Sequence, residues 1–246
     1  MITAVIPASP IRSHPGVEIL AETVDSIRHW LPTAEIVITF DGVRSEQESF
    51  RLDYERHIKT ALELADTVWH PVVPYVFDEH LHQTGMLRAV IDTIRTPLML
   101  YVEHDTPLIT DKPIDWQALT AAITGGVSNV IRLSHEAVLP AEHAHLMHGD
   151  EPGTPLIRTS QWSQRPHVAS VAYYRRILAT HFTRATKSFI EDRMYGIVDE
   201  AFNTDGLAGW HQHKVHIYNP GGGDLKRSTN LDGRQGESKF DTTQVF

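Results

Sequence analysis

The sequence predicts an α/β protein in which a mostly parallel sheet is flanked by helices. Within residues 1–105, short runs rich in β-branched residues alternate with segments whose apolar residues recur at helical spacing. This alternation gives parallel strands, because a helix must carry the chain back before the next strand begins. The length of 246 residues fits one such domain, since single cores stop growing near about 250–300 residues.

The first half alternates regularly between strands and helices. Residues 3–7 are an apolar run that proline ends, which predicts a buried strand. Residues 17–31 have apolar side chains at helical spacing and stop at Pro32, which cannot continue a helix. Residues 35–40 are β-branched and aromatic, typical of a strand, and Asp41-Gly42 predicts a turn after them. We then expect a helix at 45–65, a strand at 66–73, a helix at 84–94 and a strand at 98–102.

The second half is less regular. A stretch rich in His, Pro and Gly at 135–159 predicts a long loop with short strands. Residues 219–246 are glycine-rich and polar, with almost no apolar periodicity. We therefore expect a single domain over residues 1–218 and a flexible tail or lid over residues 219–246. The other predicted elements are helices at 115–123, 173–181 and 188–202 and strands at 129–133, 168–172 and 213–218.

The composition excludes several classes of protein. The formal net charge of −9 argues against a surface that grips nucleic-acid phosphates. The absence of cysteine excludes disulfides, thiol nucleophiles and zinc–thiolate sites. No apolar run reaches the roughly 18 residues that a membrane span needs, and the N-terminus lacks the basic region of a signal peptide. We therefore expect a cytoplasmic protein with no membrane span.

Three polar clusters follow predicted strands. In an open parallel sheet, ligands bind beyond the carboxyl ends of the strands, so these clusters would face one crevice. Acids at separate strand ends are what a bound nucleotide and a metal ion need. Each cluster alone is also typical of an ordinary turn. The clusters are Pro7-Ala8-Ser9, Asp41-Gly42 and Glu103-His104-Asp105.

Glu103 and Asp105 form the strongest candidate for a metal site. In an extended segment, side chains two residues apart point to the same side and can share one hard cation. A divalent ion held there would bridge the diphosphate of a bound nucleotide and neutralise the negative charge of that diphosphate as it leaves. An exposed acidic turn would have the same spacing.

The order of these segments resembles that of the GT-A glycosyltransferases, in particular the family 2-like nucleotide-sugar transferases. A hydrophobic strand followed by Glu103-His104-Asp105 is similar to the DxD metal motif of that family. Glu103 stands where the family usually has Asp, so Asp105 is the surer metal ligand. The resemblance implies Mn²⁺ or Mg²⁺ as the cofactor, and it places Glu103 and His104 against the sugar donor.

The same resemblance implies further donor-binding positions. Pro7, Ala8 and Ser9 are similar to the first-strand segment that lies against the nucleotide base, and Asp41 is similar to the acid that contacts the base or ribose. Arg88, on the helix before the metal motif, is similar to an arginine near the donor phosphates, which its guanidinium suits. A solvent-exposed helix arginine explains Arg88 equally well.

The resemblance also implies a catalytic base and a further metal ligand. Glu191-Asp192, at the start of a predicted helix, is similar to the family's ED segment, whose acid takes the proton from the attacking hydroxyl in inverting members. The pattern implies Asp192 as the base and Glu191 as the second choice, although acids also stabilise a helix N-terminus. The family often supplies one late His to the metal, which implies His216 first and His213 second. Imidazole with two carboxylates suits Mn²⁺.

Four other side chains complete the predicted site. Lys226 and Arg227, in the tail, would close over the diphosphate as part of a lid and exclude water, although a plain disordered tail has the same composition. Trp162 and Arg165 precede a predicted strand and would line the acceptor pocket. Trp162 would stack there on a sugar or base, although a core tryptophan is the more common outcome.

The resemblance implies a metal-dependent glycosyltransferase that moves a sugar from a nucleotide-sugar donor to a hydroxyl acceptor with inversion. A UDP- or GDP-sugar is favoured as the donor. The acceptor stays open between a glycan, a lipid-linked sugar, a protein, a small molecule and a modified DNA base. One alternative is a nucleotidyltransferase that makes nucleotide sugars, but residues 7–13 lack the glycine-rich loop usual in that class. The other alternative is a non-catalytic module that binds nucleotide sugars.

Overall fold

The computed structural model describes residues 1–231. The strands are β1 Ile2–Ala8, β2 Ile36–Phe40, β3 Val72–Val76, β4 Leu98–Tyr101, β5 Val130–Arg132, β6 Met147–Asp150, β7 Leu156–Thr159, β8 His167–Ser170 and β9 Val215–Tyr218. They form one nine-stranded sheet in the order β3-β2-β1-β4-β8-β5-β9-β7-β6.

Helices flank both faces of this sheet. They are α1 Glu18–Trp30, α2 Arg51–Thr67, α3 His82–Val90, α4 Trp116–Thr124, α5 Val171–His181, α6 Ile190–Asp205 and α7 Leu207–Trp210, with 3-10 helices at Ser45–Phe50 and Ala141–Leu146. Within residues 1–231, none of the helices combines the length and the apolar character that crossing a membrane requires. The predicted α/β class, with a sheet flanked by helices, is confirmed.

The first half of the chain forms the parallel half of the sheet. β1 pairs with β2 on one side and with β4 on the other, and β2 pairs with β3, all in parallel. β3 lies at the edge of the sheet and contains Pro74. A proline is tolerated there because it has no N–H to offer a further strand.

The second half joins the sheet through one reversed strand. β8 is antiparallel to both β4 and β5, and β5 is parallel to β9. β7 pairs antiparallel with β9, and β6 pairs antiparallel with β7. The stretch at 135–159 therefore contains short strands, as the sequence predicts, and the sheet is mixed on this side.

Two apolar layers cover the sheet. Ala4 and Ile6 of β1 pack in a cluster with side chains of α1, α2 and α4, whereas Val5 packs in a cluster with side chains of α3, α5 and α6. This division follows from the strand period of two, which sends successive side chains to opposite faces. The helix that follows β1 and the helix that precedes β4 consequently lie on opposite faces.

The structure corrects the predicted strand at 66–73. α2 continues to Thr67, and the N–H of Trp69 donates to the carbonyl of Leu64 at 2.8 Å. Ala61, Ala65 and Trp69 are all buried and follow each other at helical spacing. The apolar residues after Thr67 therefore belong to the end of the helix, and β3 begins later than predicted.

Part of the predicted tail packs against the domain. Leu225 and Arg227 are buried, and Ser228 pairs with Leu108 in an isolated β-bridge. The N–H of Leu231 donates to the carbonyl of Asp105 at 2.8 Å. Hydrogen bonds rather than apolar periodicity attach this segment, so the structure extends the domain beyond the expected boundary at 218. Residues 232–246 of the predicted tail lie outside the described residues.

A fully buried histidine on β8 is held in one tautomer. Nδ1 of His167 lies 2.8 Å from the carbonyl oxygen of Arg165, which can only accept, so Nδ1 carries the proton. Nε2 therefore accepts a hydrogen bond from the hydroxyl of Tyr174. The imidazole also stacks on Tyr101, with ring centroids 5.1 Å apart. Burial lowers the pKa of His167 to about 4.

We expect this histidine to make stability depend on pH. In the unfolded chain this histidine is protonated below about pH 6.5, whereas in the folded protein His167 stays neutral down to about pH 4. The free energy of unfolding therefore falls as the pH is lowered from about 6.5 to about 4. At pH 5 the loss is about 2 kcal/mol. In urea unfolding, the difference in unfolding free energy between the native sequence and His167→Gln should shrink by that amount from pH 7.5 to pH 5. A difference that stays constant with pH would contradict this.

Candidate functional site

The carboxyl ends of β1, β2 and β4 meet at one edge of the sheet. The carbonyl of Ala8 accepts from the N–H of Asp41 at 3.0 Å, and the carbonyl of Pro7 accepts from the N–H of His104 at 3.3 Å. Ser9 follows them and is exposed. The helix that follows β1 and the helix that precedes β4 lie on opposite faces of the sheet, so a crevice opens between the ends of these two strands. The structure therefore brings the three predicted clusters together.

Asp41 is buried, and its carboxylate organises the loop that follows β3. Oδ1 accepts from the N–H of Gly42 at 3.0 Å and of Leu81 at 2.6 Å, and Oδ2 accepts from the N–H of His82 at 2.9 Å. Nδ1 of His80 lies 2.7 Å from the same Oδ2. A buried carboxylate needs several hydrogen-bond donors. Here the donors include backbone N–H groups at the start of α3, which have no carbonyl partner within the helix.

The loop at 79–82 is closely packed. A Cβ atom on Gly42 would lie 2.3 Å from the backbone carbon of Glu79, so a side chain does not fit there. His82 has a φ of 59°, which is uncommon for a residue other than glycine. Nδ1 of His82 accepts from the N–H of Gln83 at 2.9 Å, and burial lowers the pKa of His82 to about 4. The contacts of Asp41 hold this conformation in place.

Glu103 and Asp105 lie in a turn rather than in the extended segment that the sequence predicts. The N–H of Thr106 donates to the carbonyl of Glu103 at 3.0 Å and closes this turn, residues 103–106, which we call the acidic turn. Asp105 is buried and Glu103 is half-buried. Nδ1 of His104 lies 3.2 Å from the carbonyl of Pro7, which fixes the turn to β1. One turn at the end of β4 therefore carries both acids.

Two buried glutamine side chains connect the acidic turn to α6. The amide nitrogen of Gln83 donates to Oε1 of Glu103, and the amide nitrogen of Gln164 donates to Oε1 of Gln83. The backbone N–H of Gln164 donates to Oε2 of Glu191 at 3.0 Å. A continuous line of hydrogen bonds thus runs from the end of β4 to the first turn of α6. We call the contacts among these four residues the amide bridge.

Glu191 and Asp192 occupy the first turn of α6 in different surroundings. Glu191 is half-buried. Burial lowers the pKa of the fully buried Arg132 to about 9, and the negative charge of Glu191 opposes this shift by favouring the charged guanidinium. Asp192 is exposed, and its Oδ2 accepts from the N–H of Phe189 at 3.3 Å. The Phe189 ring meets the His82 ring edge to face, with centroids 4.5 Å apart. The start of α6 therefore lies beside the start of α3.

An open pocket of about 400 Å³ adjoins these two helix starts. Its walls come from the loop after β2, the loop after β3 and the segment before α6. It is lined by Arg44, Glu46, His80, His82 and Lys187. Basic side chains outnumber acidic ones in this lining, which suits a polar or anionic ligand.

Arg88, predicted to bind phosphate, is engaged elsewhere. Its guanidinium donates to the carbonyls of Leu178 and Phe182 at 2.7 Å and 2.9 Å. These carbonyls lie at the C-terminal end of α5, where a cation is favourable because the last carbonyls of a helix lack partners. The structure therefore assigns Arg88 to joining α3 and α5, and it does not place this side chain at the acidic turn.

The segment that carries the two predicted cations of the tail is also held by the domain. Arg227 is 5% exposed and donates to the carbonyls of Pro113, Asp224 and Lys226 at 3.0, 3.0 and 2.7 Å. The backbone of Lys226 pairs with Ser134. Arg227 therefore anchors the segment, and this geometry does not present its guanidinium to a diphosphate.

Neither late histidine reaches the acidic turn. Nδ1 of His213 lies 2.9 Å from the hydroxyl of Tyr173, and Nδ1 of the fully buried His216 lies 2.9 Å from the hydroxyl of Ser128. In the sheet, His216 is level with Leu100 but three strands away, which is about 14 Å. No group of three or more His, Asp or Glu side chains within residues 1–231 could hold a metal ion.

The two predicted acceptor residues have other surroundings. Trp162 is 1% exposed and packs on Tyr173 and Tyr174, with centroids 6.2 Å and 6.0 Å away, so it belongs to the core and offers no face to a sugar. Both terminal nitrogens of the Arg165 guanidinium contact the carboxylate of Glu136. This pairing occupies the fork that would bind a substrate anion.

Sequence reasoning missed Gln83 and His80, and it did not single out Gln164. Residues 80–83 are polar at three of four positions and directly precede an apolar helical pattern, a signal that could have located a helix start at the crevice. Gln164 carries no such signal. An uncharged amide is common on any surface, and its partner Gln83 is 81 residues away in the chain.

Comparison with models of known protein families finds no match, and comparison with curated protein sequences finds none either. Among solved structures, S. aureus TarS matches 94% of this chain with a TM-score of 0.58 and 10% sequence identity. TarS 1-349 in complex with UDP-GlcNAc matches 93% with a TM-score of 0.57 and 11% identity. GalNAc-T7 with UDP, GalNAc and Mn²⁺ matches 88% with a TM-score of 0.55 and 12% identity.

These neighbours are GT-A glycosyltransferases, and the chain has the GT-A fold. The predicted fold is thus confirmed. The chain covers 36% of the TarS chain, 58% of the TarS 1-349 complex and 42% of the GalNAc-T7 chain. At these identities the likeness establishes the arrangement of strands and helices, and the chemistry has to be argued from the side chains.

Asp41→Asn should loosen the start of α3. The amide lacks the charge and places an NH₂ group where backbone N–H groups need an acceptor, so we expect a loss of about 1–3 kcal/mol in the free energy of unfolding. Amide hydrogen exchange at Leu81 and His82 should become faster. The control is Asp66→Asn, at an exposed position on α2, which should change neither quantity. Unaltered exchange at both amides in Asp41→Asn would contradict the assigned role.

Proposed function

We propose that this chain is a metal-dependent glycosyltransferase that moves a sugar from a UDP-sugar to a hydroxyl acceptor. The observation that supports it is the meeting of the β1, β2 and β4 ends at one crevice, with the acidic turn and the first turn of α6 joined across it. UDP is favoured over GDP because the solved neighbours include complexes with UDP-GlcNAc and with UDP.

The nucleoside would lie along the ends of β1 and β2. Ser9 is exposed at this point, and the loop at 79–82 forms the neighbouring wall. The oxygens of Asp41 already accept three backbone N–H groups and contact His80. We therefore assign Asp41 the role of shaping this wall.

The acidic turn suits a divalent ion such as Mn²⁺ or Mg²⁺. Glu103 and Asp105 offer hard oxygen donors from one turn, and the Gln83 amide orients the Glu103 carboxylate. One or two carboxylates are enough for such ions, since waters and substrate phosphates complete the shell. When bound, the ion neutralises charge on the leaving diphosphate.

Asp192 is the proposed general base. It is exposed on the first turn of α6, where an acceptor hydroxyl can approach, whereas the Glu191 carboxylate accepts from Gln164. Taking the proton from the hydroxyl as it attacks makes that oxygen a better nucleophile. Attack from the side opposite the diphosphate would invert the anomeric carbon. Glu191 then supports the position of the helix turn.

The activity is tested by following products from UDP-GlcNAc and UDP-GalNAc with Mn²⁺, with and without a panel of simple glycosides and alcohols. Release of UDP that depends on the protein supports the proposal. A nucleotidyltransferase would instead release pyrophosphate from UTP and a sugar phosphate. A binding module would shift the melting temperature with the donor and release neither product.

Asp105→Ala should abolish the part of UDP binding that depends on Mn²⁺. The variant removes one of the two oxygen donors of the acidic turn. Isothermal titration with UDP, with and without Mn²⁺, measures this. Because Asp105 is buried, Asp105→Asn is a second variant that keeps the volume, and Asp111→Ala is the exposed control. Native affinity for UDP with Mn²⁺ in both Asp105 variants would remove the metal assignment.

Asp192→Asn should leave UDP affinity unchanged and lower kcat by about 100-fold or more, because the amide cannot take the proton. Glu191→Gln should lower kcat less, since its carboxylate acts through the backbone of Gln164. Initial rates of UDP release measure both variants. If Asp192→Asn keeps a rate close to that of the native protein, Asp192 is not the base, and a larger loss in Glu191→Gln would transfer the role to Glu191.

A further inference from the structure

We propose that Gln83 and Gln164 are positioning residues that fix the Glu103 carboxylate for the donor's metal ion and tie it to the turn that carries the base. This inference rests on the proposed function and names two residues that neither charge nor motif identified. Gln83 acts directly on Glu103, and Gln164 acts through Gln83.

The direction of each hydrogen bond in the amide bridge is set by chemistry. A carboxylate can only accept, so the Gln83 amide must turn its NH₂ group toward Glu103. Its carbonyl oxygen then faces away and accepts from the NH₂ group of Gln164. Reversing either amide would bring two acceptors or two donors together, so the whole line has one orientation.

Burial makes these contacts strong. Gln83 is 7% exposed and Gln164 is 8% exposed, so water does not replace a lost partner at low cost. A hydrogen bond to a charged group is worth more than one between neutral groups. The two contacts with carboxylates, Gln83 with Glu103 and Gln164 with Glu191, are therefore stronger than the contact between the two glutamines. The link to Gln164 keeps the Gln83 amide from rotating away.

The bridge joins four elements that are distant in sequence. Gln83 lies in the first turn of α3, Glu103 in the acidic turn, Gln164 before β8 and Glu191 in the first turn of α6. α3 itself begins where Asp41 binds the N–H groups of Leu81 and His82. The donor side and the acceptor side of the crevice are thus held at a fixed separation, as a transfer reaction requires.

The test is isothermal titration of UDP into the full chain, with and without Mn²⁺. Gln83→Met keeps the volume and the unbranched shape but loses both hydrogen bonds. We expect it to weaken UDP binding with Mn²⁺ by about 10-fold or more, as loss of a group that orients a metal ligand does, and to leave UDP binding without Mn²⁺ unchanged. A purely structural role would weaken both alike.

A double-mutant cycle tests the order of the bridge. Gln164→Met should weaken Mn²⁺-dependent binding less than Gln83→Met, and the double variant should equal Gln83→Met because Gln164 acts only through Gln83. Gln47→Met is the matched control, since Gln47 is also buried but lies in the 3-10 helix after β2. If Gln83→Met perturbs folding, Gln83→Leu serves as the second variant, with the melting temperature measured without ligand.

The outcomes separate this inference from the function on which it rests. If the native chain binds UDP with Mn²⁺ and Gln83→Met binds it equally tightly, the bridge has no positioning role while the donor site stands. Additive effects of the two substitutions would overturn the order proposed for Gln164. If the native chain binds UDP in neither condition, the donor site is wrong and the role of the bridge is overturned with it.

Discussion

A buried carboxylate at the end of β2 sets the geometry of the crevice. Asp41 is 2% exposed, and burying such a charge without donors would cost several kcal/mol. The chain meets this demand by bringing the amides of residues 42, 81 and 82 and the ring of His80 to the two oxygens. The start of α3 is consequently fixed to the end of β2, although the two are separated by a helix and a strand.

The fixed start of α3 also affects the acidic turn. With α3 held at its first turn, the side chain of Gln83 is directed at Glu103. The acidic turn is in turn fixed to β1, where Pro7 accepts from the backbone and the ring of His104. The crevice therefore consists of parts whose positions depend on one another. A flexible loop could not hold two carboxylates and a helix turn at a constant separation, and catalytic groups must be held to within a fraction of an ångström.

Local patterns predicted the elements and the strand ends of this fold, but they could not predict partners. The acids at positions 41, 103 and 105 were found because acids after apolar strands are visible in the sequence. Arg88 and His216 were misplaced because residue type does not reveal which backbone carbonyl or hydroxyl a side chain will meet. The predicted strand at 66–73 is wrong for a related reason, because two apolar residues at the end of a helix have the same pattern as the start of a strand. Gln83 and Gln164 are visible only once the sheet has brought them together.

The placement of the arginines bears on how a diphosphate would be neutralised. Arg88 and Arg227 donate to backbone carbonyls, and Arg165 is paired with Glu136. Each of these guanidiniums stabilises the fold and would have to give up existing hydrogen bonds to reach a phosphate. Under the proposed function, these three guanidiniums do not meet the leaving diphosphate, so its charge falls on an ion held by Glu103 and Asp105 and on the basic side chains of the open pocket, Arg44 and Lys187. Transfer should then depend on the divalent ion, and the side chain that orients Glu103 gains importance accordingly.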